Sequence, residues 1–458
     1  MSTSDHSNIV IHQFPPTFSW GVATSAYQIE GGAQADGRGP SIWDTFSHTP
    51  GKIIDGSTGD VACDHYHRYQ EDVGIIADLN VDAYRFSIAW PRVQPLGHGA
   101  WNEAGFDFYS RLIDSLNAKN ISVHVTLYHW DLPQALQDRG GWLNRDTTTL
   151  FADYAAEVAR RFGNRVASIA THNEPWCTAN LGHGTGQFAP GMADPNAAVQ
   201  VSHHLLLSHG LAMQAMRAVA CSAQLGIVLN QWTAMPATQS DADIKMAQVE
   251  YAKSVQWYMD PIFKGKYPEL ALQNIDRDAF IVHDDDLKNI HQPIDFLGVN
   301  YYTRVFCSAA TPKIAPEGKL GFTDMGWEIY PQGLTDLLVA IHQEYDLPPV
   351  YITENGIAVA DKIDNDVIND SQRTEYIKLH LNALAAAMEQ GVDIRGYFYW
   401  SLMDNYEWNS GYAKRFGLIY VDYATQKRSL KESALWYRSF ITSSRMQSQQ
   451  IASTPGHN

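Results

Sequence analysis

Two glutamates stand at the ends of short strand-like segments and could act together as a pair of catalytic carboxyls. Glu354 follows the apolar and β-branched run 350–353, and Glu174 follows the similar run 168–173. An Asn-Gly turn comes directly after the first and a proline after the second. Parallel α/β folds present catalytic groups at the carboxyl ends of their strands. Two carboxyls there are the minimum equipment for acid–base and nucleophilic chemistry at an acetal carbon.

Such chemistry requires the two carboxyls to hold different protonation states at the same pH. Arg85, at the end of another strand-like segment, is expected to lie near Glu354, to lower its pKa and to keep it anionic. No cation neighbours Glu174 in the sequence, so burial close to a carboxylate is expected to keep it protonated. The sequence therefore predicts Glu354 as the nucleophile. It predicts Glu174 as the proton donor and, afterwards, as the base for an incoming water.

The elements that would position these residues alternate between strand-like and helix-like along nearly the whole chain. The predicted strands are 18–23, 83–90, 122–130, 168–174, 225–232, 295–302, 350–354 and 395–402. Eight strands, each followed by a helix, predict an α/β fold with one (β/α)₈ TIM barrel in a single domain. A doubly wound open sheet is the alternative, and the even alternation favours the closed barrel.

The predicted barrel is the catalytic domain and covers residues 14–441. Residues 1–13 form a polar N-terminal segment. Residues 442–458 are polar without a helical period, which predicts a disordered C-terminal tail. The connection from 304 to 330 is too long for a packing loop and is expected to form one wall of the site.

Composition limits the partners of this 458-residue chain. Its net charge of −17 disfavours nucleic acid and anionic membranes and favours a neutral small substrate. No stretch of about 18 apolar residues predicts a membrane span. The four cysteines lack paired spacing, which predicts a reducing, cytoplasmic location. Cys63, His65 and His67 fall on a predicted helix at spacings that do not face one another, so no metal site is expected. The oligomeric state stays open.

Seven sequence blocks carry a resemblance to a known family. They are FSWGVATSAYQIEG at 18–31, YRFSIAW at 84–90, LYHWDLP at 127–133, THNEP at 171–175, VNYY at 299–302, ITENG at 352–356 and WSLMDNYEW at 400–408. With these blocks the chain resembles glycoside hydrolase family 1, the retaining β-glycosidases, over residues 14–440. The resemblance implies a barrel enzyme that needs no cofactor.

The resemblance also implies residue roles. Glu174 would be the acid/base and Glu354 the nucleophile. Arg85 and Tyr302 would contact the nucleophile, and Asn300 would support the acid/base. The residues expected to bind the non-reducing sugar are Gln28, His129, Asn173, Tyr302, Trp400, Glu407 and Trp408, with Trp400 flat beneath the ring. Together, amide, imidazole and carboxylate groups supply both the donors and the acceptors that sugar hydroxyls need.

The implied activity is that of a retaining β-glucosidase acting on cello-oligosaccharides and on aryl or alkyl β-glucosides through a covalent glycosyl-enzyme. Relatives that act on 6-phosphorylated sugars carry serine and tyrosine where this chain has Glu407 and Phe416, so an unphosphorylated substrate is expected. Glu174 itself excludes a thioglycosidase, which carries glutamine there. A catalytically silent sugar-binding relative is the second hypothesis, and such relatives usually lose one glutamate. Transglycosylation is the third.

The entrance side of the site is less determined. The aglycone candidates are Trp327, Cys177, Leu181, His183, Asn230 and Trp232, and packing explains each of them equally well. Epimers such as glucose and galactose differ in the orientation of one hydroxyl, so the sequence does not choose glucose over galactose or fucose. Chain-length preference and product inhibition stay open as well.

Overall fold

The polypeptide closes an eight-stranded parallel barrel. The computed structural model describes residues 14–310, 317–364 and 367–453. The barrel strands are β1 (Ser19–Ala23), β2 (Ala83–Ser87), β3 (Ser122–Tyr128), β4 (Ser168–Asn173), β5 (Gln224–Asn230), β6 (Phe296–Asn300), β7 (Val350–Asn355) and β8 (Ile394–Trp400). Each strand pairs in parallel with the next, and β8 pairs with β1. The predicted barrel is therefore confirmed, and the open sheet is wrong.

Eight long helical segments follow the eight strands. They are α1 (His65–Asp78), α2 (Glu103–Asn117), α3 (Asp146–Phe162), α4 (Pro195–Ala218), α5 (Asp241–Tyr251, continued by a π turn Ala252–Gln256 and Trp257–Lys264), α6 (Pro331–Glu344), α7 (Ser371–Glu389) and α8 (Glu432–Ser453). In α2 the residues Phe106, Tyr109, Ile113 and Leu116 recur at helical spacing and are buried on one face. Among the described helices, none combines the length and the apolar character needed to cross a bilayer.

Shorter elements decorate the barrel. The short helices are Ala26–Ile29, Ala35–Gly37, Ile42–Ser47, Trp90–Val93, Gln134–Gln137, Gly141–Leu143, Cys177–Gly184, Glu269–Leu272, Arg277–Ala279, Asp286–Ile290 and Trp408–Ser410. Two antiparallel ribbons join Lys362–Asp364 to Val367–Asn369 and Ile419–Asp422 to Lys427–Leu430. A parallel pair, Thr233–Pro236 with Arg304–Cys307, continues the chain past the carboxyl ends of β5 and β6. We call this pair the entrance ribbon.

The C-terminal part of the chain differs from the sequence prediction. Helix α8 continues to Ser453, whereas the sequence predicted a disordered tail from 442. Tertiary contacts explain the difference, because Arg445 donates to Asn80 and pairs with Asp82 at the barrel base. These polar partners lie far away in sequence, so no local helical period reveals them. The predicted segment 1–13 and the end of the predicted tail, 454–458, lie outside the described residues.

Irregular pairing marks the two strands that end in the glutamates. The register between β4 and β5 shifts between Ala170 and Asn173, and the register between β6 and β7 shifts between Val299 and Asn300. Such bulges add a residue to one strand and re-aim its side chains. Glu174 itself has a φ of 49°, a left-handed conformation that is uncommon for a residue other than glycine. The backbone is therefore specialised where the site is built.

Candidate active site

The Glu354 carboxyl is buried at the end of β7 and is bonded through both of its oxygens. Arg85 Nη1 donates to Oε1 over 2.7 Å, and the Tyr302 hydroxyl donates to Oε2 over 2.8 Å. Arg85 is in turn held by the Thr126 hydroxyl, which accepts from Nε over 3.2 Å. The predicted contacts of Arg85 and Tyr302 with Glu354 are thus present.

The electrostatics of Glu354 differ in sign from the sequence expectation. Burial raises the pKa of this carboxyl above its ordinary value, and the pull of Arg85 in the opposite direction does not cancel that effect. The expectation of a net lowered pKa was therefore wrong, because sequence alone gives no measure of desolvation. Glu354 still has a guanidinium partner, so it is the carboxyl we expect to ionise first.

The Glu174 carboxyl is also buried, and its two donors among the described residues are neutral. Asn300 Nδ2 donates to Oε1 over 2.7 Å, and the Cys177 thiol donates to Oε2 over 3.1 Å. Burial, reinforced by the negative charge of Glu354, raises the pKa of Glu174 to about 8. This agrees with the expectation that Glu174 stays protonated at neutral pH.

One amide joins the two carboxyls. Asn173 Oδ1 accepts from Arg85 Nη2 over 2.7 Å and from Asn300 Nδ2 over 3.1 Å. Hydrogen bonds therefore run without a break from Glu354 through Arg85, Asn173 and Asn300 to Glu174. The two glutamates, far apart in sequence, face the same small region of the barrel mouth.

The remaining sugar-binding candidates line an adjoining wall. Gln28 Nε2 lies 3.4 Å from Glu407 Oε2, and burial raises the pKa of Glu407 to about 8. The ring of His129 stacks near Trp400 and Trp408, with centroids 5.8 and 5.9 Å away. Burial also holds the pKa of His129 well below its usual range, so the imidazole is neutral. The structure thus brings these five residues together.

His129 links this wall to the carboxyls. Its Nε2 lies 3.1 Å from Asn173 Nδ2, which makes the imidazole nitrogen the acceptor. Its buried Nδ1 has no hydrogen-bond partner among the described residues. A neutral imidazole that accepts at Nε2 carries its proton at Nδ1, so this nitrogen has a donor to offer.

The aglycone candidates separate into two groups. The ring of Trp327 lies 5.3 Å from that of Tyr302, and Asn230 Nδ2 lies 3.7 Å from the thiol of Cys177. These three candidates border the carboxyls. His183 belongs to the second group, because it is only 1% exposed and its Nδ1 bonds the Thr178 carbonyl.

Packing accounts for the other candidates. His183 and Leu181 lie in the π-helical turn Cys177–Gly184, and Leu181 packs against the core. Trp232 packs edge-on against Trp176, with ring centroids 4.9 Å apart. For His183, Leu181 and Trp232 the packing interpretation is therefore favoured over contact with the aglycone.

Sequence reasoning missed several residues that fix the site. Thr126 anchors Arg85, and Ser25 and Asn405 bond the two ends of the Gln28 amide over 2.6 and 3.0 Å. Ser25 and Asn405 lie inside the blocks that carry the resemblance, so their position in those motifs was an available signal. Thr126 lies just before its block, and only the geometry reveals it.

Cys63, His65 and His67, for which no metal site was expected, form hydrogen bonds to other protein groups. The Cys63 thiol donates to the Asp404 carbonyl over 3.1 Å, and His65 Nδ1 lies 2.8 Å from Asp72. His67 Nδ1 bonds the Asp64 carboxylate over 2.6 Å. The described part of the chain contains no group of three or more His, Cys, Asp or Glu side chains arranged to hold a metal ion.

Asp131, two residues after His129, gives a testable pH effect. Its carboxyl is fully buried without a hydrogen-bond partner among the described residues, and burial raises its pKa to about 8. A carboxyl with a raised pKa favours the folded state below its unfolded pKa, and this contribution is lost as the pH rises through the folded value. The Tm of Asp131→Asn minus the Tm of wild type should therefore increase with pH. We expect this difference to be about 2–4 °C larger at pH 8.5 than at pH 5.

The measurement is thermal unfolding of both proteins across this pH range. Asp153→Asn, at an exposed position of α3, is the matched control and is expected to show no such divergence. A constant difference between Asp131→Asn and wild type at all pH values would contradict the assignment.

A parallel barrel with two buried carboxyls at its mouth, one bonded to a guanidinium and one to neutral donors, is the arrangement of a glycoside hydrolase. Comparison with known proteins agrees. The family model described as glycosyl hydrolase family 1 matches residues 10–446. The chain belongs to glycosyl hydrolase family 1 and is a glycoside hydrolase.

Individual relatives are similar over nearly their full length. Beta-glucosidase A of Acetivibrio thermocellus is 46% identical, with 93% of this chain and 98% of the relative covered. A bifunctional beta-D-glucosidase/beta-D-fucosidase of Bifidobacterium breve is 44% identical, with 93% and 98% covered. The structure of a Thermotoga maritima family 1 glycoside hydrolase, complexed with a cyclophellitol analogue transition state mimic, superposes with a TM-score of 0.91 at 45% identity, covering 94% of this chain and 98% of that one.

Proposed function

We propose that this protein is a retaining β-glucosidase that removes terminal, non-reducing β-D-glucosyl residues from short cello-oligosaccharides and from aryl or alkyl β-glucosides. The observation that carries the proposal is the pair of buried carboxyls in opposed environments around Asn173. The activity for which this relative is named, beta-glucosidase, supports glucose as the sugar. The proposal extends to the seven sugar-binding residues named from the sequence.

In the first step Glu354 attacks the anomeric carbon while Glu174 gives its proton to the departing glycosidic oxygen. The bond to that oxygen breaks, an ester to Glu354 forms, and the aglycone leaves as a neutral alcohol. Tyr302 and Arg85 hold the carboxylate in place for attack. The raised pKa of Glu174 keeps the required proton available at neutral pH.

In the second step the roles of Glu174 reverse. Esterification removes the negative charge of Glu354, which was one cause of the raised pKa of Glu174. Glu174 then ionises more readily and takes a proton from the incoming water. Water attacks the anomeric carbon, the ester breaks, and the sugar leaves with its original β configuration.

The substrate is proposed to be unphosphorylated. Glu407 is buried beside Gln28, and a phosphate brought to it would meet a carboxyl rather than a cation. Phe416 is buried and offers no hydrogen-bond donor. We expect kcat/KM for a β-glucoside to exceed that for its 6-phosphate by at least about 100-fold, since a phosphate buried there without a cationic partner costs several kcal/mol.

The decisive experiment follows the stereochemistry of the first-formed sugar by proton NMR. The β anomer should appear first and then mutarotate to the equilibrium mixture. An α-anomer first product would overturn the double-displacement mechanism, and no release of sugar would favour the silent binding hypothesis.

Sugar and acceptor preference need separate assays. A panel of aryl β-glucosides, β-galactosides and β-fucosides tests the choice of sugar, and the bifunctional relative makes the fucoside an informative member. Added alcohol acceptors test transglycosylation, because they compete with water for the glycosyl-enzyme.

A further inference from the structure

Thr353, the residue just before the predicted nucleophile, is linked to the other carboxyl through Asn300 on the neighbouring strand β6. Its hydroxyl donates to Asn300 Oδ1 over 2.7 Å, and the Nδ2 of the same amide donates to Glu174 Oε1 over 2.7 Å. Thr353, Asn300 and Glu174 are 4%, 1% and 6% exposed, so water does not compete freely for these bonds.

The direction of the Asn300 amide matters because its two ends are chemically different. Its Nδ2 faces Glu174 Oε1 and Asn173 Oδ1. Asn173 Oδ1 is fixed as an acceptor because it also receives Arg85 Nη2. A reversed Asn300 would turn its carbonyl oxygen toward these acceptor oxygens. Asn173 therefore sets the direction of the amide, and the hydroxyl of Thr353 holds the amide in position from the opposite end, where it donates to Oδ1.

The fold makes room for this hydroxyl. A Cβ added at Gly298 of β6 would lie 2.9 Å from both Oγ1 and Cγ2 of Thr353, closer than real contacts allow. The backbone carbonyl of Thr353 also accepts from Arg85 Nη1 over 3.2 Å. Thr353 therefore contacts the partners of both carboxyls, and only a neighbour without a side chain leaves it space.

We propose that Thr353 is a positioning residue for the acid/base, whose hydroxyl holds the Asn300 amide so that its N–H donates to Glu174 in both steps of the reaction. This inference rests on the proposed function and extends it. Thr353 lies in the block at 352–356, but the roles implied by the family resemblance assign no part to it.

The expected consequence has a definite sign. An N–H donor stabilises the ionised form of a carboxyl and so lowers its pKa. Without the hydroxyl of Thr353, the Asn300 amide can move away from Glu174, which weakens the N–H bond to the ionised carboxyl and raises the pKa of Glu174. The alkaline limb of the kcat/KM profile, which reports the acid in the free enzyme, then moves to higher pH.

The test compares Thr353→Val, which keeps the shape and removes the hydroxyl, with Thr353→Ser, which keeps the hydroxyl. For Thr353→Val we expect the alkaline limb of the kcat/KM profile to move to higher pH by about 0.5–1 pH unit. We expect kcat/KM for phenyl β-glucoside, whose leaving group needs a proton, to fall about 5–20-fold. For 2,4-dinitrophenyl β-glucoside, whose leaving group needs none, kcat/KM should fall less than threefold.

The matched control is Thr335→Val. Thr335 lies on α6 and is equally buried. Its hydroxyl donates to the carbonyl of Ala383 on α7 over 2.8 Å, away from the carboxyls. It should leave the limb and the leaving-group dependence unchanged. Thr353→Ser should restore the wild-type limb.

Several outcomes would overturn the inference. They are an unmoved alkaline limb in Thr353→Val, an equal loss for both leaving groups, or the same shift in Thr335→Val. If Thr353→Val does not fold, Thr353→Ala against Thr353→Ser gives the same comparison with smaller side chains. An inactive wild type would instead reject the proposed function, so the two failures are distinguishable.

Discussion

Glu354→Gly is expected to lower kcat on β-glucosides by on the order of 10⁵-fold or more, because the variant lacks the carboxylate that forms the covalent ester. Glu354 receives Arg85 and Tyr302 at its two oxygens, and both donors would remain in the variant. The folded barrel should persist, since removing a buried, coordinated carboxyl leaves a small polar space. Steady-state hydrolysis of an aryl β-glucoside measures the loss.

Small anions provide the sharper half of this test. Formate or azide should enter the space left by the carboxylate, between the two remaining donors, and restore part of the activity. Azide attacking from this side would give a glucosyl azide of α configuration, which NMR identifies. Glu103→Gly, at an exposed position that starts α2, is the control and should keep wild-type activity. Wild-type activity in Glu354→Gly, or a β-configured azide product, would contradict the nucleophile assignment.

Glu174→Ala is expected to act according to the leaving group. For phenyl β-glucoside, kcat/KM should fall by about 10³–10⁴-fold, the usual contribution of a general acid. For 2,4-dinitrophenyl β-glucoside the first step needs no proton, so kcat/KM should fall far less. The second step has lost its base, so the glycosyl-enzyme should accumulate and show as a burst of dinitrophenol.

Azide also tests the role of Glu174, and the expected product has the opposite configuration to that expected for Glu354→Gly. In Glu174→Ala it should attack the glycosyl-enzyme from the face normally used by water, giving a β-configured glucosyl azide and a faster turnover. The alkaline limb of kcat/KM, assigned to the raised pKa of Glu174, should disappear. Glu71→Ala, exposed on α1, is the control. A uniform loss for every leaving group would show that Glu174 serves structure rather than proton transfer.

Much of this architecture is accessible from sequence because it follows local patterns. The eight barrel strands are short β-branched and aromatic runs bounded by turn residues, and the predicted segments overlap all eight observed strands. Motif position correctly brought Arg85 and Tyr302 to Glu354 and brought Asn300 to Glu174.

What the sequence could not supply depends on three-dimensional surroundings. The net direction of the Glu354 pKa follows from how completely the fold removes water, which no motif states. Arg85 depends on Thr126, and the amide of Asn300 depends on Thr353, through contacts between different strands. The helix beyond 441 depends on Arg445 reaching Asp82, more than 350 residues earlier in the chain.

The entrance ribbon joins two connections that a redesign of aglycone preference would have to change together. Its two strands, Thr233–Pro236 and Arg304–Cys307, come from different βα connections yet share one backbone ladder, and Arg304 forms a buried ion pair with Glu328, next to Trp327. Grafting a single loop from a relative would replace one strand of this pair and leave the other without its native pairing partner. Chimaeras that exchange both connections as one module should retain solubility and turnover where single-loop chimaeras lose them.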